Sequence, residues 1–369
     1  MDVKTSSQAV RRPTLKEVAA AVGVAPSTVS NAYNRPDQLS EALRERILEA
    51  ARRLGYPGPN ATARQLRRGC SGALGVLYAD RLSYAFADPV ALSFFEGVAA
   101  AAEEAGLSLL LVPGPPEDPG AVRAAAVDGF VIYSLADSDP RLGAALERRL
   151  PTVFVDQPPP PGVLAPLIAI DDRGGARQAA EHLIALGHRR FGIVSFELAP
   201  GAVGGLRQGT GPRGSSFALT RDRLEGYAEA LAAAGIDWSE VALYECPEND
   251  PSEGRAAAEY LLGLPQPPTA LLVLSDQLAL GVLEAARARG IAVPQQLSVV
   301  GFDDIPAAAL VQPALTTVRQ PLREKGAWAG ELLLALLRGE TPHSPPRLAT
   351  ELVLRASSGP APEVTRNVS

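Results

Sequence analysis

Ser27, Thr28, Ser30 and Asn31 place four short hydrogen-bonding side chains within five residues, directly after Pro26. Side chains of this kind can read base edges in a groove, and an asparagine amide suits adenine because it donates and accepts at once. Pro26 offers no side-chain donor and can contribute only apolar contact, such as packing on a thymine methyl. These groups face outward together only if they stand on a helix held against another. The flanking residues supply both. Thr14 and Glu17 have capping-box spacing, so each satisfies a free backbone N–H at a helix start. Leu15, Val18, Ala19 and Val22 then repeat at helical spacing. Gly23 supplies a turn, and Pro26 fits the first position of a second helix, where its missing N–H costs nothing. Val29 and Tyr33 are spaced to face the first helix. The pattern predicts a helix-turn-helix whose second helix enters a DNA major groove. The bland alternative is a small helical pair inside some other domain.

Ser40 is placed to cap a third helix over about Glu41–Leu54, with Leu43, Ile47, Ala50, Ala51 and Leu54 as its apolar stripe. Gly55 and Pro57 end it. Charge follows the same division. Residues 1–69 hold 12 Lys/Arg and 6 Asp/Glu, whereas the remainder holds 23 and 35. The basic end can replace counterions on phosphates, and the acidic body discourages non-specific adhesion. Beyond Asn60, a good N-cap, residues 61–69 have room for one short helix. Such a helix is marginal in water because nucleation is costly, so it should form only when a partner chain and DNA hold it. Arg64, Arg67 and Arg68 read as phosphate contacts. A plain linker, with Leu66 packed on the next domain, is the alternative.

After residue 70 the pattern changes to alternating strands and helices. Apolar runs predict strands at 73–79, 108–113, 129–134, 152–156, 167–171, 190–195, 269–275, 298–303 and 315–320. Alanine-rich helical stretches lie between them, at 91–105, 173–186, 222–234, 276–289 and 321–338. This alternation implies parallel sheets with helices on both faces. About 300 residues exceed one such core, so two subdomains are expected.

These motifs resemble the lactose-repressor (LacI/GalR) family of bacterial regulators. Thr14-Leu15, Val18-Ala19, Gly23-Val24, Ser27 to Ser30, Asn34, Gly55-Tyr56 and Asn60 carry the match at the N-terminal end. Asp171-Asp172, Glu181-His182-Leu183, Leu186-Gly187-His188, Asp276 to Gly281, Val299 to Asp304 and Leu315 to Gln320 extend it to about residue 357. The resemblance implies base contacts from Pro26, Ser27 and Asn31, with Thr14, Thr28, Asn34 and Arg64 completing the DNA-binding set. It implies a hinge helix in which Leu66 enters the minor groove. An apolar wedge of this kind unstacks a base step and bends the duplex at a cost of a few kcal/mol. Pro26 departs from the family pattern.

For the body, the resemblance implies a core like that of periplasmic sugar-binding proteins, two α/β lobes joined by three crossovers. Ligands of open α/β sheets sit beyond the carboxyl ends of strands. There the resemblance places Arg223, whose fork suits hydroxyl pairs, carboxylates or phosphates, and Asp303, an acceptor for ligand hydroxyls. It adds Ser275, Asp156 and Gln320 at further strand ends. The loop after the first strand contributes Ser83, Tyr84 and Phe86. Cys246–Asp250 flanks the cleft without an aromatic to stack on a ring, and the Gly-rich insertion Gly201–Gly214 is expected to be a mobile flap.

The expected organisation is a helix-turn-helix domain at 1–58, a hinge at 59–71, a core at 72–357 and a flexible tail at 358–369. Within the core, one lobe takes about 72–171 and 321–347, and the other about 172–320 and 348–357. The functional expectation is a homodimeric repressor on a pseudo-palindromic operator, controlled by a sugar-like effector bound between the lobes. Catalytic residues, metal and cofactor are not expected. Cys70 and Cys246 show no pairing pattern, which fits a reduced, cytoplasmic, nucleoid-associated protein. His182 and His188 are six apart, so a helix would not bring them together as ligands, and His343 is the third histidine. Gly201–Gly214 lacks the Gly-Lys-Ser/Thr ending of a phosphate loop. No apolar run approaches membrane-spanning length. Two other classes stay open on the residues alone: a sugar-modifying enzyme with a DNA-binding appendage, and an architectural DNA-binding protein without a ligand.

Overall fold

The computed structural model describes residues 13–58, 69–112, 118–341 and 347–363. Two compact units divide the chain, Met1–Ser71 and Gly72–Ser369. In the first, α1 (Leu15–Val22), α2 (Pro26–Asn34) and α3 (Glu41–Leu54) surround a small core. The capping box forms: the Glu17 backbone N–H donates to Thr14 Oγ1 at 3.4 Å, and the Thr14 N–H donates to Glu17 Oε2 at 2.6 Å. Gly23 takes a left-handed φ of 75° at the turn, a conformation that costs a Cβ-bearing residue energy. Val18, Ala19, Val29, Ala32, Ile47, Ala50, Ala51 and Tyr56 are buried together. Tyr33 meets Tyr56 edge-on at 6.1 Å. Two expectations need correction. Ser40 stands at the N-cap of α3 but makes no side-chain cap bond. Leu54 is 42% exposed, because the last turn of α3 has rotated it off the core face.

The second unit begins with a parallel sheet of β1 (Ala73–Tyr78), β2 (Ser108–Val112), β3 (Gly129–Tyr133), β4 (Thr152–Val155) and β5 (Leu167–Ile168), in the order β2-β1-β3-β4-β5. The helices α4 (Leu82–Ala85), α5 (Pro89–Glu104), α6 (Gly120–Ala124) and α7 (Pro140–Glu147) connect these strands. The chain then crosses into a second lobe. It contains α8 (Asp172–Ala185), β6 (Phe191–Ser195), β7 (Gly205–Arg207), α9 (Ala218–Ala233), β8 (Ala242–Glu245), α10 (Pro251–Leu261), β9 (Ala270–Val273), α11 (Asp276–Ala288), β10 (Ser298–Asp303), α12 (Pro306–Leu310) and β11 (Thr316–Arg319). Next, α13 (Leu322–Leu337) returns to the first lobe, and β12 (Glu351–Val353) goes back to the second. The second sheet runs β12-β11-β10-β9-β6-β8-β7, parallel except at its two edge strands.

Both sheets are covered on both faces, which is why their central strands are continuously apolar. In β1, Leu74, Val76 and Tyr78 pack under α5 and α13, and Leu77 faces α6 and α7. Each fully buried Leu, Val or Phe contributes about 1.5–3 kcal/mol relative to exposure. The return of α13 depends on two glycines. A Cβ on Gly97 would lie 2.1 Å from the Arg323 carbonyl, and one on Gly326 would lie 2.0 Å from the Phe94 carbonyl.

The strands β7, β8 and β12 escaped the periodicity reading because they are short and lie at or next to an edge. The Gly-rich insertion is therefore not a flap. Its middle is the edge strand β7, antiparallel to β8, tied by an ion pair from Arg207 to Glu245. The expected flexible tail also begins too early. The Gly359 N–H donates to Ser298 Oγ at 3.0 Å, and the Ala361 N–H donates to the Leu186 carbonyl at 2.9 Å. His188 Nε2 lies 3.1 Å from the Gly359 carbonyl, and His182 Nε2 lies 2.9 Å from Ser358 Oγ. Both histidines thus serve to dock the C-terminal segment.

Candidate functional site

On the helical unit, Pro26 and Ser27 are exposed, and Thr28, Ser30 and Asn31 are half-buried along the same helix. Asn31 Nδ2 reaches Gln38 Oε1 at 3.4 Å, a weak exposed bond that DNA can replace. Two members of the expected set are engaged within the fold. Thr14 is committed to its capping box. Asn34 Nδ2 donates to the Ser30 carbonyl at 2.9 Å and closes the end of α2. Arg64 and Leu66, with the hinge helix expected around them, lie outside the described residues.

The carboxyl ends of both sheets in the second unit face one cleft. It encloses about 140 Å³, roughly ten times the space one water needs. From the first lobe it is lined by Asp80, Tyr84, Asp88, Tyr133 and Asp156. Phe196, Glu197, Thr220, Arg223, Glu248, Asn249 and Asp303 line it from the second, and Gln320 and Lys325 lie at a crossover. Of the seven residues expected there, Tyr84, Asp156, Arg223, Asp303 and Gln320 line the cavity. Phe86 does not: it follows α4 outward and is 64% exposed. Ser275 does not either. It is fully buried as the N-cap of α11, accepting from the Leu278 N–H at 3.1 Å and donating to Asn249 Oδ1. It therefore positions Asn249 instead of meeting a ligand.

Strand ends create this geometry. Ser134, Asp156, Asp303 and Asp304 follow or end β3, β4 and β10 with φ of 58°, 59°, 118° and 59°. Such values cost non-glycine residues about 1–3 kcal/mol each and persist where surrounding packing enforces them, often at functional sites. Here the turns aim two carboxylates into the gap between the lobes.

A buried polar chain forms the cleft floor. Lys325 Nζ donates to Asp156 Oδ2 at 2.6 Å and to Gln320 Oε1 at 3.1 Å. Gln320 Nε2 donates to Asp303 Oδ1 at 2.6 Å. Arg223 Nη1 stands 3.6 Å from that carboxylate, and Arg223 Nε donates to Asp172 Oδ1 at 2.8 Å. The guanidinium also lies 3.6 Å over the Phe302 ring. Burial pushes Asp303 up to about 7 against the pull of Arg223, and burial pushes Asp172 up to about 6. At the rim, burial and then Asp80 push Glu197 up to about 7. Burial and then Asp88 push Asp80 up to about 6. The lobes also touch directly. Tyr84 Oη donates to the Asn249 carbonyl at 2.9 Å, and Arg221 pairs with Asp137 at 2.6 Å.

Six carboxylates thus face a cavity with two cations, Arg223 and Lys325. An anionic ligand would be repelled, whereas hydroxyl groups can donate to carboxylates and accept from cations. Although Cys246–Asp250 supplies no ring, the fold brings Phe196 and Tyr133 to the cavity from β6 and β3. Sequence reasoning missed Lys325. Its signal was present: a lone lysine on the apolar stripe Lys325, Ala329, Leu332 and Leu333 of a helix. Asp80, Asp88 and Glu197 carried no comparable signal.

A helix-turn-helix on one unit and an interlobe cleft on the other define the class of transcriptional regulators that answer to a small molecule. Residues 14–60 match the bacterial regulatory proteins of the lacI family, and residues 180–358 match the periplasmic binding protein-like domain. An HTH-type transcriptional regulator of Mycolicibacterium smegmatis is 44% identical over 369 residues, covering 95% of this chain and 97% of that one. Among solved structures, the CelR–cellobiose complex aligns with a TM-score of 0.66 and 31% identity over 94% of this chain and 100% of that one. The lac repressor dimer bound to operator and the anti-inducer ONPF aligns with a TM-score of 0.75 and 27% identity over 95% and 100%. The chain belongs to the lacI family of bacterial regulatory proteins.

Proposed function

We propose that this protein is a repressor that binds a pseudo-palindromic operator as a homodimer and is controlled by a neutral, sugar-like effector held between its lobes. Two-fold protein symmetry calls for two-fold operator symmetry. Ser27 and Asn31 read bases, assisted by Pro26 and Thr28, and the hinge residues 59–71 carry the signal, with Leu66 as the minor-groove wedge. The carrying observation is the cleft lining, with six carboxylates against two cations at the carboxyl ends of both sheets. Arg223, Asp303, Asp156 and Gln320 hold the effector in this reading, and Tyr84 closes over it. The complexes of relatives with cellobiose and with operator support it. The effector alters lobe closure and so operator affinity, a coupling that is typically about 1–3 kcal/mol. The site binds without turning its ligand over, and the protein works in the cytoplasm on the nucleoid. Among the described residues, no helix is long and apolar enough to cross a membrane.

The test is selection of genomic fragments by the purified protein, followed by operator titration with neutral sugars. An enriched palindrome whose affinity changes about 5- to 150-fold with one sugar is the expected result. Loss of the sugar to a product would return the enzyme reading, and an operator indifferent to every compound would leave a purely architectural protein.

A further inference from the structure

Lys325 is 1% exposed on α13, yet it reaches the wall of the cleft. Its ammonium carries three N–H donors, and two of them go to Asp156 Oδ2 and Gln320 Oε1. The other Asp156 oxygen, Oδ1, is buried without a hydrogen-bond partner among the described residues. A carboxylate oxygen in that state costs free energy unless something donates to it. Asp156 itself is more than nine-tenths buried and lines the same cavity. The first lobe therefore presents one unused acceptor and one unused donor side by side. A hydroxyl group satisfies both, donating to Asp156 Oδ1 and accepting from Lys325 Nζ. A carboxylate or phosphate satisfies only the lysine and collides electrostatically with Asp156.

We infer that Lys325 and Asp156 form a hydroxyl-reading pair on the first lobe, opposite Arg223 and Asp303 on the second, so that the effector is a neutral polyol with hydroxyls at both ends. Gln320 links the two pairs, bonding to Lys325 at 3.1 Å and to Asp303 at 2.6 Å. It sits where the chain crosses from β11 to α13, so occupancy of one pair is felt by the other at a crossover between the lobes. This inference rests on the reading of the cleft as an effector site.

The experiment is calorimetric titration of the full-length protein with glucose, ribose, cellobiose, sorbitol and gluconate, with operator release measured in parallel. The monodeoxy analogues of whichever neutral compound binds are then compared on two proteins, wild type and Lys325→Met/Asp156→Asn. Lys325→Met alone strands a buried carboxylate and can fail to fold, whereas the paired variant removes both charges. A cooperative melt confirms its fold. Wild type should discriminate against one deoxy analogue by about 10- to 100-fold, the usual worth of a charge-assisted hydrogen bond. The paired variant should lose that discrimination and keep discrimination at hydroxyls facing Arg223 and Asp303. Equal weakening of the parent and every analogue would reduce Lys325 to structural support and overturn the inference, as would tighter binding of gluconate than of glucose. If no compound binds or moves operator affinity, the effector reading falls and takes this inference with it. Failure confined to the deoxy comparison leaves the effector reading standing.

Discussion

The helical unit and the cleft are built on opposite plans. In the helical unit, everything that shapes the reading surface lies within about twenty residues: a capping box three residues wide, a glycine turn and a proline at N1. Its buried core is eight residues. In the cleft, partners that touch are far apart in the chain, with Lys325 and Asp156 separated by 169 positions and Arg223 and Asp172 by 51. Local geometry makes a surface that only needs a partner to dock on it. Long-range geometry makes a floor whose charges depend on one another, so a single change propagates.

That contrast can be broken by substitution, and the largest effect should come from the cleft. Arg223→Ala leaves Asp172 and Asp303 buried without their shared cation, and loss of one partner from such a pair typically costs about 3–5 kcal/mol. Thermal unfolding should show a large loss confined to the core, and no neutral sugar should release operator. Release at the wild-type sugar concentration would mean that Arg223 does not touch the effector. Next comes Asn31→Ala. A lost amide–base pair should weaken operator binding by about 1–3 kcal/mol while leaving sugar binding unchanged in calorimetry. A parallel loss of sugar affinity would show that the two plans are not separable. Thr14→Ala should cost about 1 kcal/mol, the usual worth of an N-cap, seen as earlier melting of the helical unit alone.

The smallest effect is a pH dependence. Burial among like charges holds Glu197 near 7 and Asp80 near 6, both above ordinary carboxylates at about 4. The folded core therefore favours their protonated forms. Their contribution is fully present below about pH 4 and is lost as the pH rises through about 6 to 7. The melting temperature of the core should fall between pH 5.5 and 8, and Glu197→Gln should flatten that fall. A variant curve that follows wild type would assign the slope to other groups.

Legibility in the sequence follows the same line. Leu15 to Asn34 could be read nearly residue by residue, because caps, turns and helical periodicity act over three or four positions. The central strands were legible as apolar runs, yet β7 inside the glycine-rich insertion was not, since three half-exposed residues at a sheet edge leave no period. Ser275 and Phe86 show the limit for the site. Both have the right residue type beside the right strand or loop, but Ser275 turned inward to cap α11 and Phe86 turned outward from α4.

The sequence by itself determined which elements form, which end of the chain is basic, and that Arg223 and Asp303 stand near strand ends. Periodicity, capping and charge are properties of neighbours along the chain. Only the tertiary structure decided that Lys325, on an apolar helix stripe, meets Asp156 from another strand, and that one oxygen of Asp156 is left for a ligand. A buried charge is tolerated only where its partner is supplied, and that partner comes from a segment that only the folded topology brings near.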